Sequence, residues 1–376
     1  MTATFAPPIH TIVAPTEVID TPTMVVDEAI LHRNIAEMAA LAKSLGVALR
    51  PHIKTHKTPQ IARLQLAAGA VGVTCAKLGE AEVMADAGAD DILMAYPVVG
   101  DLKIRRLLAL MERVRMIVAL DSREAAEALS DAMAAEDRTL DVYVEVNTGQ
   151  HRVGVLAGDE AVALALDFAR LPGLRVIGVM SHEGHANVQP RETIESVAVD
   201  AGQKLVATAE KIRSHGLDLP VVSVGSTPAA SYTPTVPGVT EMRPGTYVFK
   251  DTSAFRYGIF GPDRCAARIL ATVVSHPAPD RCILDGGSKT LSLDKTPSHP
   301  GHGYILGHEH AIIDRLSEEH GVVVLGPDDP GLQIGERVEI IPNHICPTVN
   351  LMDQLTIVRD GHVADVWPVA ARGKIR

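Results

Sequence analysis

The stretch Leu49-Arg50-Pro51-His52-Ile53-Lys54-Thr55-His56-Lys57-Thr58-Pro59 sets a lysine just past a short apolar run, Val47-Ala48-Leu49. Gly46 closes the preceding helix, Pro51 limits strand pairing, and Pro59 opens the next helix. Between the prolines stand His52, Lys54, His56 and Lys57. Crowded cations lower one another's pKa, and a lysine that is neutral part of the time is a usable amine nucleophile. Schiff-base chemistry on an aldehyde cofactor needs such an amine. A basic strand-to-helix turn on the surface would have the same composition.

A second constellation is Pro342-Asn343-His344-Ile345-Cys346-Pro347-Thr348, after a strand ending at Ile341. In an extended segment residues two apart share a face, so His344 and Cys346 are positioned to hold one divalent ion. A histidine and a thiolate suit zinc best, with manganese or cobalt as substitutes. Two protein ligands leave positions open, which is a catalytic pattern; a buried cysteine beside a loop histidine is the alternative. His299, His302, His308 and His310 lie among Pro and Gly and read as a solvated or subunit-contact loop. His320 precedes a strand.

The elements that position these residues alternate along the first two thirds of the chain. Strands at 23–26, 47–50, 71–75, 91–95, 116–120, 140–146, 176–180 and 221–224 are interleaved with helices of 3.6-residue period. Their apolar strands predict a parallel sheet, and the repeat count predicts closure into a (β/α)8 TIM-type barrel. Past about residue 250, short strands separated by Gly, Pro and Asp turns predict a second, all-β domain. The expected division is an N-terminal arm or strand at 1–25 joining the β-domain, a barrel at 26–250, and a β-domain at 251–376 carrying the metal motif.

In such a barrel the residues past each strand's C-terminal end face one mouth. Here they are Lys54 and His56, Cys75 and Lys77, Tyr96, Asp121, Asn147 with His151 and Arg152, His182 with His185, Gly225-Ser226-Thr227, and Tyr247. A purely structural barrel has no need of so many ionisable groups there. Val224-Gly225-Ser226-Thr227-Pro228 and Arg243-Pro244-Gly245-Thr246-Tyr247 offer backbone N–H groups and hydroxyls to a phosphate. No Walker loop is present, and 301–307 has the wrong spacing for a dinucleotide fingerprint.

Bulk properties narrow the class. A formal charge of −11 over 376 residues, without a basic block, argues against nucleic acid as the partner. No apolar run is long enough to span a membrane, and the N-terminus lacks the pattern of a signal peptide. The four cysteines are scattered with no CxxC pair, which disfavours a disulfide framework. A soluble cytoplasmic protein is expected.

Taken in order, Arg50–Lys57, Gly149-Gln150-His151-Arg152-Val153-Gly154, Arg243–Tyr247, Ser317-Glu318-Glu319-His320-Gly321 and Pro342–Leu351 resemble the D-threonine aldolase and eukaryotic-type D-serine dehydratase family. The resemblance covers nearly the whole chain. It implies the alanine-racemase fold of pyridoxal phosphate enzymes, a homodimer, and a small D-3-hydroxy-amino acid substrate. By position, Lys54 matches the cofactor-binding lysine and Arg152 the arginine facing the pyridine nitrogen. Gly225, Ser226, Thr227, Gly245 and Tyr247 match the phosphate loops, and His344 and Cys346 the metal pair, for Mn2+ or Zn2+. Aldolases of the family often have Asp where this chain has Cys346, a departure toward the dehydratases. The segment around Ser181-His182-Glu183-Gly184-His185 departs from the aldolase pattern. His182 and His185 are therefore both candidates for the base that takes the hydroxyl proton, with Lys54 for the α-proton.

The expected reaction is D-threonine cleavage to glycine and acetaldehyde. The alternative is β-elimination of D-serine or D-threo-3-hydroxyaspartate to a 2-oxo acid and ammonia. A racemase would use Tyr257 or Tyr304 as second base and has no need of a metal. A pyridoxal phosphate carrier would need no β-domain, and a metal-dependent barrel hydrolase would need no aldehyde cofactor.

Overall fold

Short strands with every residue buried, such as Met116–Leu120, need cover on both faces, and helices supply it. In the computed structural model, which describes residues 19–188, 190–256, 260–297, 299–327, 329 and 331–376, that logic builds a barrel. After β1 (Thr23–Asp27) and α1 (Glu28–Leu45) come β2 (Ala48–Leu49), α2 (Pro59–Ala67), β3 (Val73–Cys75), α3 (Leu78–Asp86) and β4 (Asp91–Met94). Next are α4 (Asp101–Met111), β5 (Arg115–Leu120), α5 (Arg123–Ala135), β6 (Leu140–Asn147), β7 (Val155–Leu156) and α6 (Asp159–Phe168). The run ends with β8 (Leu174–Met180), α7 (Arg191–Ser214), β9 (Val221–Val224) and β10 (Glu241–Met242).

Eight strands pair in parallel in the order β2-β10-β9-β8-β6-β5-β4-β3, and the ends of this path meet. Val71 N–H donates to Leu49 O at 2.9 Å, Thr74 N–H donates to Pro51 O at 2.8 Å, and a parallel bridge joins His52 to Thr74. The sheet is closed, as the repeat count predicts. The strand read at 23–26 is not a barrel stave: β1 pairs with strands of the other unit, and β10 is the eighth stave. Two residues, one of them Glu241, are too short and polar a run to announce a strand.

Charge organises the end of the barrel opposite the mouth. Asp91 and Arg115 open their strands, and Asp141 and Arg175 are second residues of theirs. Arg115 bridges Asp91 and Asp141 at 2.7 Å each, and Arg175 holds Asp141 at 2.6 Å. Buried Arg50 joins Asp91 at 2.5 Å and Glu241 at 2.8 Å. Removing one partner of so buried a pair strands a charge and costs about 3–5 kcal/mol. Above this layer, Leu93, Ile117, Ala119, Tyr143 and Met180 form an apolar cluster.

The chain divides by compactness into Ile35–Tyr247 with Gly373–Arg376, and the residues up to Asn34 with Val248–Arg372. The second unit contains α8 (Ser253–Arg256), β11 (Ala267–Ala278), β12 (Arg281–Leu284), α9 (Ser288–Leu291), β13 (Tyr304–Ile305) and β14 (Ile312–Leu316). It continues with β15 (Gly321–Val324), β16 (Arg337–Ile341), α10 (Ile345–Leu351), β17 (Gln354–Arg359) and β18 (His362–Pro368). Its sheet runs β14-β15-β12-β11-β1-β17-β18, with β16 pairing β11 and β13. Arg268 on β11 is fully buried and donates to Glu339 on β16 at 2.6 Å. Among the described residues no helix is long and apolar enough to cross a membrane.

Candidate active site

Lys54 lies in a single 3-10 turn, Ile53–Thr55, that follows β2. Its backbone N–H donates to His52 Nδ1 at 3.3 Å, and Ile53 and Thr55 on either side are fully buried. The turn is pinned to the loop after β10, because His52 N–H donates to Pro244 O at 3.0 Å. Lys57 adopts a positive φ of 51° and pairs with Glu80 at 3.3 Å. Glu80 also accepts the N–H groups of Ala76 and Lys77 at 2.7 and 3.2 Å, which ties the lysine turn to the start of α3.

Electrostatics gather the expected residues into one cluster. Burial, reinforced by Lys54, Arg152 and Arg243, pushes His182 down to about 3. Burial and then Lys54, Arg243, His182 and Arg152 hold His52 well below the usual imidazole range. Both rings are neutral at pH 7 and accept or donate without carrying charge. Lys54, Arg152 and His182 therefore share one environment, together with His52 and Arg243. The sequence offers Arg243 only as part of a loop motif. Its guanidinium is buried and donates to Ser181 O at 2.6 Å and to the Ser223 hydroxyl.

Three buried glutamates act on this arginine: Glu241, Glu183 and Glu145. Glu183 accepts Gly225 N–H at 3.0 Å and the Ser181 hydroxyl at 2.7 Å, so it fastens the loop after β9 to the loop after β8. Burial pushes Glu183 up to about 7 against the pull of its hydrogen bond from Ser181 and of Arg243. Glu145 on β6 is likewise pushed up to about 7 by burial, against Arg243 and Arg152, and among the described residues its Oε2 has no hydrogen-bond partner. The sequence marked Glu183 only by its place between two histidines.

Glu145 makes stability depend on pH. Its folded pKa of about 7 lies above the ordinary 4.5, so its contribution is fully present below pH 4.5 and is lost as pH rises to 7. Glu145→Gln is expected to flatten this fall and to stabilise the ligand-free protein by about 3 kcal/mol above pH 7. Urea unfolding at pH 5 and pH 8 checks it. Equal losses for both proteins between the two pH values would refute it.

The expected phosphate loops form a cradle of hydroxyls whose oxygens are held from behind. Tyr247 N–H donates to Thr227 Oγ1 at 3.1 Å, and Ala229 N–H donates to Ser226 Oγ at 3.3 Å. Gln65 Nε2 donates to Tyr247 Oη at 2.9 Å. A hydroxyl that accepts on one side turns its proton to the other, which suits an anion. Gly245 lets its backbone pack closely on the lysine turn: a Cβ there would lie 2.9 Å from Thr55 Oγ1 and 3.3 Å from His52 Cβ. At Gly225 it would lie 3.2 Å from an Arg243 nitrogen. An amine, a guanidinium cluster and a hydroxyl cradle fit an aldehyde that carries a phosphate.

His344 and Cys346 come together, but not as residues of an extended segment. His344 is the extended N-cap of α10, with φ −142° and ψ 108°, and Cys346 lies in that helix's first turn. Burial works against charge on His344, yet the hydrogen bond and charge of Cys346, then Asp294, push it up to about 9. Asp294 Oδ2 sits 2.6 Å from His344 Nδ1, which leaves Nε2 for a ligand. Asp251 caps the same helix, accepting Ile345 N–H at 3.1 Å, and Asn343 bonds to Asp294 O and Gly301 O at 3.1 and 2.8 Å. Among the described residues no group of three or more His, Cys, Asp or Glu is arranged around one ion. The pair fits a divalent ion that keeps most of its positions open.

Other expected residues stand apart. His185 has Lys204, Asp200 and His151 as its charged neighbours, on the side of α7. Its ring packs on Gly149, where a Cβ would lie 2.7 Å from Nε2. Cys75 is fully buried and burial holds its thiol well above the usual range. Lys77 Nζ lies 3.7 Å from the centre of the Tyr96 ring. The histidines at 299–310 are not a solvated loop: His299 bonds to Gly303 O at 3.1 Å, His302 is buried, and His308 pairs with Asp329 at 3.1 Å. Only His310 of the four is exposed, and His320 is exposed in the turn between β14 and β15. Tyr304 packs edge-on against Phe255 and His299, and Tyr257 lies outside the described residues.

Comparison with known proteins agrees with this architecture. The family model for the alanine racemase N-terminal domain matches residues 26–253, and that for a serine dehydratase domain matches 266–358. D-threonine aldolase of Arthrobacter sp. is 35% identical over 366 residues, covering 94% of this chain and 93% of that protein. D-threo-3-hydroxyaspartate dehydratase of Delftia sp. (strain HT23) is 34% identical over 351 residues, covering 88% and 92%. The crystal structure of D-threonine aldolase from Filomicrobium marinum aligns with a TM-score of 0.89 at 36% identity, covering 95% of this chain and 97% of that one.

A parallel (β/α) barrel with a strand-end lysine and a C-terminal mainly-β unit is the alanine racemase-like fold of pyridoxal phosphate enzymes. Within that class the chain belongs to the D-threonine aldolase and D-serine dehydratase family and is a pyridoxal phosphate-dependent lyase.

Proposed function

We propose that this enzyme is a pyridoxal phosphate- and divalent metal-dependent D-threonine aldolase, releasing glycine and acetaldehyde. The observation that carries the reading is the cluster of Lys54, Arg152 and neutral His182 beside a hydroxyl cradle. The 35% identity to the Arthrobacter aldolase supports it. A structure of a D-threo-3-hydroxyaspartate dehydratase variant described as being in the metal-free form supports a metal.

Pyridoxal phosphate bound here supplies an aldehyde and a conjugated ring that accepts the electron pair released at Cα. A divalent ion held by His344 and Cys346 supplies Lewis acidity toward an oxygen. Lys54 provides the amine that anchors the cofactor. Arg152, a permanent cation, would serve as the partner of the ring nitrogen and would keep it less protonated than a carboxylate would. Ser226, Thr227, Tyr247 and the backbone at Gly225 and Gly245 hold the phosphate. His182, neutral at pH 7, accepts the hydroxyl proton as the Cα–Cβ bond breaks. Lys54 would deliver the proton that completes glycine at Cα.

Two observations favour the dehydratase reading: Cys346 stands where family aldolases often have Asp, and 266–358 matches a serine dehydratase domain. In that reaction Lys54 takes the α-proton and hydroxide departs from Cβ. Product analysis with D-threonine, pyridoxal phosphate and Mn2+ or Zn2+ separates the two. Glycine with acetaldehyde is expected. 2-Oxobutanoate with ammonia would transfer the enzyme to the dehydratases.

A further inference from the structure

Three hydrogen bonds run in series behind the hydroxyl cradle. Thr58 N–H donates to His56 Nδ1 at 3.1 Å, His56 Nε2 meets Gln65 Oε1 at 3.2 Å, and Gln65 Nε2 meets Tyr247 Oη at 2.9 Å. The rings and the amide are sealed: His56 and Gln65 are 0% exposed and Tyr247 1%.

The direction of this series is dictated from one end. A backbone N–H can only donate, so the Thr58 N–H fills the Nδ1 lone pair of His56. Burial holds His56 down at about 4, so the ring is neutral and its one proton sits on Nε2. That proton needs an acceptor, which fixes Oε1 of Gln65 toward the histidine and Nε2 toward the tyrosine. The reversed amide would set two N–H donors against each other in a buried site, at a cost of about 1–3 kcal/mol for each unsatisfied group. Tyr247 Oη is therefore an acceptor on its Gln65 side. Its own proton faces away from Gln65, and among the described residues its oxygen has no second partner.

We infer that His56 and Gln65 are positioning residues that turn the Tyr247 hydroxyl into an obligate donor to the cofactor's phosphate. The inference rests on the reading of Tyr247 as part of the phosphate site. It explains why a motif histidine two residues past Lys54 is buried away from the cation cluster: it works on the phosphate end of the cofactor. The device lets the cradle favour an anion without a further lysine or arginine.

The test titrates ligand-free protein with pyridoxal phosphate and, separately, with pyridoxal, followed by the visible absorbance of bound cofactor. Gln65→Met, close in shape but unable to donate, is expected to weaken pyridoxal phosphate binding about tenfold and leave pyridoxal binding unchanged. Gln65→Glu should weaken it further, because a carboxylate makes Tyr247 donate back toward residue 65. Tyr247→Phe should lower the same preference, and adding Gln65→Met to it should have no further effect. Equal weakening for both cofactors in Gln65→Met and Gln65→Glu would reduce Gln65 to a structural role and overturn the inference. An unchanged preference in Tyr247→Phe would remove Tyr247 from the phosphate site and the inference with it. A lowered preference in Tyr247→Phe without one in either Gln65 variant would overturn the inference alone and leave the phosphate reading standing.

Discussion

Lys54→Ala is expected to yield a protein that no longer retains pyridoxal phosphate through desalting and whose turnover of D-threonine falls about 10³-fold or more. Neighbouring lysines are committed elsewhere and offer no replacement amine. Lys57 is paired with Glu80 at 3.3 Å, and Lys77 lies over the Tyr96 ring at 3.7 Å. Lys54→Arg is the sharper variant. It keeps a cation beside His52 and His182, so the electrostatics that hold both rings neutral persist, while the nucleophilic amine is lost. Both variants should fold, since the 3-10 turn is held by backbone bonds and by the buried Ile53 and Thr55. A visible band that survives desalting in either variant would show that the anchoring amine is another residue.

His344→Ala and Cys346→Ala are each expected to lower turnover about 10²–10³-fold while leaving the visible cofactor band in place. The magnitude follows from losing a Lewis acid that contributes roughly 3–4 kcal/mol to the barrier. Treating the unaltered enzyme with a chelator should produce the same loss, reversed by adding Mn2+ or Zn2+, whereas neither variant should recover at the same ion concentration. Asp294→Asn is predicted to be milder, with about 10–100-fold weaker metal affinity, because Asp294 orients His344 through Nδ1 at 2.6 Å. The separation of readouts is the point of the experiment. Lys54 variants lose the cofactor band and ligand variants keep it. Full turnover in chelated enzyme and in both ligand variants would remove the metal from the reaction.

These two experiments bear on residues that differ in how readable they were. Lys54 was legible because a short apolar run, a proline and a crowd of cations are local features, and the strand-end rule then carried them to a barrel mouth. His344 and Cys346 were legible as a pair, but for an incorrect local reason. They meet through an extended N-cap followed by a helical turn, and that backbone course depends on Asp251 and Thr252, from elsewhere in the chain, bonding to Ile345 and Asn343 of the segment. Asp294, fifty residues earlier, could not be assigned to His344 from spacing at all.

By itself the sequence determined the alternation of apolar strands and amphipathic helices, the closure they imply, the change to a β-rich unit, and the chemical inventory at the strand ends. Those are matters of periodicity and of residue type, which act over a few neighbours. Only the tertiary structure decided that β1 lies between β11 and β17, that Glu241–Met242 completes the barrel, and that His182 rather than His185 shares the environment of Lys54. It also decided the direction of the Tyr247 hydroxyl and the upward pKa shifts that burial imposes on Glu145 and Glu183. Pairing partners, burial and the sign of nearby charge are set by groups far apart in the chain, and each depends on distance in space.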